Sequence, residues 1–303
     1  MMKILLIDGN SIGYACHHGT KLKAGDLETQ AVFGFIRSMR DLKINYPHHE
    51  MLILWDGKTK WRYDLLPTYK GNRTSDDKKV AERESYKKQV PLIQTALNCL
   101  GVKQYLCKTH EADDIAGHIV KKMVTSSPDN EIVLITGDRD WLQLVQTGVS
   151  WIDLRDRTRY VNIDNFEEKT GYSNVKAFLE SKCLQGDASD SIPGVGGIGE
   201  KGAKDLLTSY GSVEGYRDCL QSGSLSINKK AWAKLATEEG FSIFSRNYQI
   251  MQLQNVTPPQ KENVVNLNEG GSSKVKFSDL CDELAFMSIS NNIDSFTKPF
   301  GFK

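Results

Sequence analysis

The 303-residue chain has little cysteine, no long apolar run and almost no net charge. Each shortage excludes something. The six cysteines (Cys16, Cys99, Cys107, Cys183, Cys219, Cys281) form no CxxC pair and follow no regular spacing. A zinc site or disulfide framework is therefore not expected, and a reducing compartment is. No apolar stretch approaches the length needed to cross a bilayer. The N-terminus, MMKILLIDGNS, has one lysine and only four consecutive apolar residues before Asp8, too few for a signal peptide. The reading is a soluble cytoplasmic protein with no membrane association. A net charge of +1 leaves no global field to attract a polyanion, so nucleic-acid binding would have to come from local basic patches. There is no internal repeat. The length suits one large or two smaller domains with a substantial core.

What is present is a recurring pattern of apolar runs that stop at aspartate beside glycine. Residues 131–145 read EIVLITGDRDWLQLV. Four β-prone residues end at Thr136-Gly137, Asp138 and Asp140 follow, and apolar residues then recur at helical spacing. This predicts a buried parallel strand, a tight turn and a helix start. Residues 3–7 end the same way at Asp8-Gly9, and residues 51–55 at Asp56-Gly57. Acids at helix starts also serve as caps and dipole partners. Three such endings in one chain point further, because a parallel sheet brings its carboxyl ends together and ligands bind outside them. Clustered carboxylates there suit a hard cation such as Mg²⁺.

Between them, residues 58–90 are rich in Lys and Arg, with Trp61, Tyr63, Tyr69 and Tyr86 interleaved. The composition fits a solvated insertion or a nucleic-acid contact, with cations for phosphates and aromatic faces for unpaired bases. Helices are predicted over 28–42, 90–100 and 111–124, and a strand over 102–106. Glu111, Asp113 and Asp114 fall in the first turn of the helix over 111–124. A hairpin is predicted over 149–161 and a helix over 175–184. That helix leads to a fourth acidic cluster, Asp187 and Asp190. IPGVGGIGEKGAKDLL follows, a glycine hairpin opening a helix near Gly199, where free N–H groups with Lys201 and Lys204 can hold a phosphate. Residues 229–254 read as helical, 257–274 as a polar linker, and 277–287 as a short helix that docks back.

In this order, Asp8, Asp56, YKGNR (69–73), EADD (111–114), TGDRDWLQL (136–144) and GDASDSIPGVGGIGEKGA (186–203) resemble the structure-specific 5′-nuclease family. The likeness is to bacteriophage flap endonucleases and the 5′-nuclease domain of bacterial DNA polymerase I, and RNYQIMQL (246–253) adds to it. The resemblance implies an α/β fold with a central mostly parallel sheet, helices on both faces, a helical arch and a helix–hairpin–helix. The domains would be a nuclease domain over 1–184 with an arch insertion at 58–90, a DNA-binding region over 185–256, and a linker with a docking helix over 257–303. It implies that Asp8, Asp56, Glu111 and Asp113 surround one metal ion. Asp138, Asp140, Asp187 and Asp190 would surround a second, with Asp114 close by. Lys70 and Arg73 would contact the scissile phosphate, and Tyr69 would stack on a base. Gly194, Gly196 and Gly199 would shape the clamp, with a K⁺ ion on the backbone of Val195 and Ile198. The partners implied are branched or 5′-ended DNA, RNA–DNA hybrids and replication proteins, and a monomer in a phage-infected or bacterial cell is expected.

The chemistry follows independently. Two Mg²⁺, with Mn²⁺ as a substitute, can activate a water and stabilise the leaving oxygen of a phosphodiester. Asp8 and Asp113 would hold the ions at the reaction, and Lys70 and Arg73 would add charge where it develops. No serine–histidine pair suggests a covalent route. Two alternatives stand. In an aspartate-based phosphohydrolase an acid belongs two residues after the nucleophile, where Asn10 stands. A non-catalytic DNA-junction binder leaves the acids unexplained.

Overall fold

Alternation along the first strand, β1 (Lys3–Asp8), decides the architecture. Ile4 and Leu6 belong to one apolar cluster, Leu5 and Ile7 to another on the opposite face. A strand buried on both sides reads as an unbroken apolar run. The structure is a computed structural model. It describes every residue except 75, 157, 226–228 and 269, and only the backbone of Arg73 and Thr74.

Four strands lie parallel to β1 in the sheet: β2 (Glu50–Trp55), β3 (Lys103–Cys107), β4 (Glu131–Ile135) and β5 (Val149–Ile152). Their order is β3-β2-β1-β4-β5. The chain builds outward from β1 on one side, then returns to build on the other, so the switch point lies between β1 and β4. Ile7 is level with both Ile53 and Ile135, so the aspartates that follow each strand emerge at one edge. This is where open α/β sheets bind their ligands. Two short antiparallel strands close the edges, β6 (Tyr160–Val161) on β5 and β7 (Val264–Asn266) on β3.

One face of the sheet is covered by α1 (Gly9–His17), α2 (Gln30–Asn45) and α4 (Asp77–Cys99), the other by α5 (Ala112–Ser126). A short helix, α3 (Lys60–Leu65), precedes α4. Beyond the sheet come α6 (Val175–Gln185), α7 (Glu200–Tyr210) and α8 (Glu238–Met251). The last labelled helix, α9 (Lys274–Glu283), buries Phe277, Leu280 and Cys281 in the cluster that also holds Leu5 and Ile7 of β1. Among the described residues no helix is long and apolar enough to cross a membrane.

Three expected boundaries moved. The break expected at residue 90 falls inside α4, which runs on through Pro91. Lys, Arg and Glu are good helix formers, so a charged stretch can propagate a helix that its apolar half anchors. The helix expected over 229–254 is broken: Thr237 caps α8 by accepting the Gly240 N–H at 3.1 Å, which starts a new helix there. Residues 264–266 lie in the expected linker yet pair with β3, a strand too short for its alternation to be read. Asn268 secures this edge by accepting the Gln104 N–H at 2.8 Å.

Candidate active site

Asp8 ends β1 and caps α1, accepting the Ser11 N–H and the Thr136 hydroxyl, each at 2.9 Å. Asp56 leaves β2 and accepts the Ala112 N–H at 2.9 Å, which ties it to the start of α5. Gly57 follows because a Cβ there would collide with the Cys107 carbonyl, so the aspartate–glycine pair is a packing requirement as well as a turn. Asp113, on the first turn of α5, accepts the Trp141 indole N–H at 2.6 Å. Asp138 caps a 3₁₀ turn, Arg139–Leu144, which carries Asp140. Asp187 and Asp190 come from the loop after α6, where Asp187 accepts the Ser189 N–H at 2.8 Å. The side chains of Asp8, Asp56, Asp113, Asp138, Asp140, Asp187, Asp190 and Lys70 line one cavity of about 780 Å³. The structure thus brings together seven of the nine carboxylates expected at the metals.

Lys70 is aimed by its backbone. It has φ +55°, a left-handed conformation that costs a non-glycine residue energy and persists where surroundings enforce it. Its N–H donates to the Asp190 carbonyl at 2.8 Å, and Asn72 donates to Ser191 Oγ at 3.1 Å and to the Ala188 carbonyl at 2.6 Å. The YKGNR stretch is thereby stitched to the loop carrying Asp187 and Asp190. Lys70 Nζ pairs with Glu111, and stands 3.9 Å from Asp190 Oδ2.

The acids divide by compensation. Among the described residues no Lys or Arg ion-pairs with Asp8, Asp56, Asp113 or Asp138. Burial, then the charges of Asp56 and Asp138, pushes Asp8 up to about 7. Burial, then Asp138, Asp8 and Asp56, holds Asp113 well above the usual carboxylate range. Burial pushes Asp56 and Asp138 upward as well, offset in part by the Ala112 N–H and Lys70 at Asp56 and by Lys182 at Asp138. Elsewhere cations prevail. Burial pushes Glu111 up, but Lys70 and Arg62 outweigh it and hold it low. Burial likewise opposes, and Ser189 and Lys182 overcome, in holding Asp187 low.

These four acids, with no ion-paired Lys or Arg among the described residues, fit a divalent cation, which removes the repulsion and keeps all four ionised. Among the described residues no three acidic, histidine or cysteine side chains stand close enough to grip an ion unaided. An ion held here would keep several waters, as Mg²⁺ does.

Two expected roles do not match the geometry, and a third shifts. Asp114 is 1% exposed and faces away from the cavity. Arg62 holds it bidentately at 2.6 and 2.8 Å, and it caps the Glu111 N–H at 3.0 Å; it is a structural acid, not a neighbour of a second metal. Tyr69 is 3% exposed, so its ring offers no face to a base. Its hydroxyl donates to Glu111 at 3.0 Å instead. Glu111 lines an adjoining cavity with Lys70 and Lys60, and Thr59, Arg62, Tyr69 and Lys70 occupy its oxygens. The Arg73 side chain lies outside the described residues.

Gly194, Gly196 and Gly199 lie in the loop between α6 and α7, and Gly199 caps α7 with open space around it. Lys201 and Lys204 sit on the exposed face of α7. Val195 and Ile198 bury their side chains, and the Val195 carbonyl accepts the Ile198 N–H at 3.3 Å.

The family profile of the 5′-3′ exonuclease N-terminal, resolvase-like domain matches residues 3–171. The chain belongs to the 5′-3′ exonuclease family. The profile of the family's C-terminal SAM fold follows over residues 174–265. DNA polymerase I of Bacillus subtilis is 32% identical over 251 residues, which cover 80% of this chain and 27% of that polymerase. The thermostable DNA polymerase I of Thermus filiformis is 32% identical over 214 residues, 70% of this chain and 24% of that one. The chain thus spans about a quarter of the length of these curated relatives. T5 5′-exonuclease with zinc bound superposes with a TM-score of 0.70 at 22% identity, covering 98% of both chains. Flap endonuclease-1 from Methanococcus jannaschii superposes with 0.60 at 17% identity, covering 99% of this chain and 91% of that one. At these identities the structural likeness is one of fold.

Sequence reasoning missed Arg62, Trp141 as a donor to Asp113, and above all Lys182. Lys182 was readable only as a helix residue, although a lysine one turn before an acidic cluster is a signal in itself. This member of the 5′-3′ exonuclease family uses it between Asp140 and Asp187.

Proposed function

We propose that this chain is a metal-dependent 5′-nuclease that hydrolyses DNA or RNA–DNA phosphodiesters near single-strand/duplex junctions, working from a 5′ end. The observation that carries the reading is the aspartate quartet at the sheet's switch point, ion-paired to no Lys or Arg among the described residues, with Lys70 held beside it. Asp8, Asp56 and Asp113 would hold one divalent ion, and Asp138, Asp140, Asp187 and Asp190 a second. Bound Mg²⁺ supplies an activated water and stabilises the leaving oxygen.

The remaining work falls to the protein. The Ser11 and Thr136 donors fix Asp8, and the Trp141 indole fixes Asp113, so the ligands are preorganised. Lys70, with Arg73, would exchange its carboxylate partners for the scissile phosphate and oppose the charge developing there. Lys60 and the polar half of α4 extend the basic surface, in keeping with an arch over residues 58–90 within a nuclease domain of residues 1–184. The open N-terminus of α7 with Lys201 and Lys204 would grip a backbone phosphate in a DNA-binding region over 185–256. K⁺ on the Val195 and Ile198 carbonyls would brace that hairpin. Residues 257–303 would hold the back of the sheet.

The test is incubation of end-labelled flap, nicked and blunt substrates with Mg²⁺, with and without chelator. Short 5′ products that vanish with chelator and with Asp138→Asn are expected, while the variant still binds the junction. Full cleavage by Asp138→Asn would sink the assignment.

A further inference from the structure

Lys182 occupies the last turn of α6. Its Nζ contacts Asp140 Oδ1 and stands 3.6 Å from Asp187 Oδ2. These two carboxylates come from different elements, the 3₁₀ turn after β4 and the loop after α6, so one ammonium joins both sides of the cavity. All three side chains keep a fifth to a quarter of their surface exposed.

We infer that Lys182 is a built-in counter-ion that holds the Asp140–Asp187 arm of the site together until a divalent ion displaces it. The inference rests on the metal reading proposed above. An ammonium is a compact point charge on a flexible stem, without the planar fork that locks Arg62 onto Asp114. A pair that still reaches solvent in this way is worth only a modest amount and is released cheaply. A divalent ion brings twice the charge to the same oxygens and outcompetes the lysine, but only after overcoming it. Lys182 is thus a positioning residue that sets how readily the second group of acids takes up metal. In the metal-free state it keeps the arm assembled, and at low metal concentration it keeps that arm unloaded.

The experiment is calorimetric titration of the full chain with MgCl₂ and with MnCl₂, comparing the natural protein, Lys182→Met and Lys182→Arg. Removing one adjacent positive charge should tighten the weaker divalent site at least about tenfold in Lys182→Met, a modest share of a contact charge interaction near a protein surface. Lys182→Arg should stay within a few-fold of the natural protein. In the natural protein, the ¹⁵N-lysine signal of Lys182 should shift as Mg²⁺ binds. Equal or weaker binding by Lys182→Met, or a stationary Lys182 signal during metal uptake, would overturn the inference and leave the metal reading intact. No divalent binding by any of the proteins would overturn both.

Discussion

At the centre of the cavity, Asp8, Asp56, Asp113 and Asp138 face one another without an ion-pairing cation among the described residues. On its flanks, Glu111 is held by Lys70 and Arg62, and Asp140 and Asp187 by Lys182. The centre is fixed by neutral donors (Ser11, Thr136, Trp141 and the Ala112 N–H) that set position without cancelling charge. On the flanks, Lys70 and Lys182 neutralise acids through flexible stems that can let go, while Arg62 stays locked. A site built this way keeps its attraction for an external cation where the chemistry is, and stores its own cations nearby.

The strongest way to break this comparison is to neutralise one acid in each place. Asp113→Asn should lower cleavage of a 5′-flap substrate roughly 10³-fold and Asp187→Asn roughly tenfold to 10²-fold, on the scale of losing fixed electrostatic contacts at a transition state. Equal losses would mean that centre and flank do the same work. The supports differ in kind as well. Arg62→Ala leaves Asp114 buried and unpaired, and should cost about 3–5 kcal/mol in urea unfolding. Lys182→Met breaks a pair that still reaches solvent and should cost less than about 1 kcal/mol. A severe loss in the second variant would show that the flank is structural. The smallest effect sharpens the picture: Mg²⁺ at about 100 times its dissociation constant should stabilise the natural protein by about 2.7 kcal/mol in thermal melts. Asp113→Asn should gain clearly less. An equal gain would place the ion elsewhere.

Much of this was legible in the sequence because its signals are local. β1, β2 and β4 announce themselves as apolar runs, and the aspartate–glycine endings mark their carboxyl ends. Parallel pairing then requires Asp8, Asp56 and Asp138 to meet. What was illegible depends on partners far apart in the chain. Nothing near Asp114 distinguishes it from Asp113, since its neighbour Arg62 lies 52 positions away. Tyr69 reads as an exposed aromatic in a basic stretch, yet its ring packs into the core with its hydroxyl against Glu111 and Asp190. Lys182 became meaningful once α6 placed it beside Asp140.

The stretch from Gly186 to Gly199 begins with the acids Asp187 and Asp190 and ends at the open start of α7. It is only about four turns of helix long in residue count, and it is pinned at Lys70 and Asn72 on the way. On the proposed reading, a duplex seized at the α7 end would meet the acids at a set distance, so this loop would fix where along the duplex the cut falls.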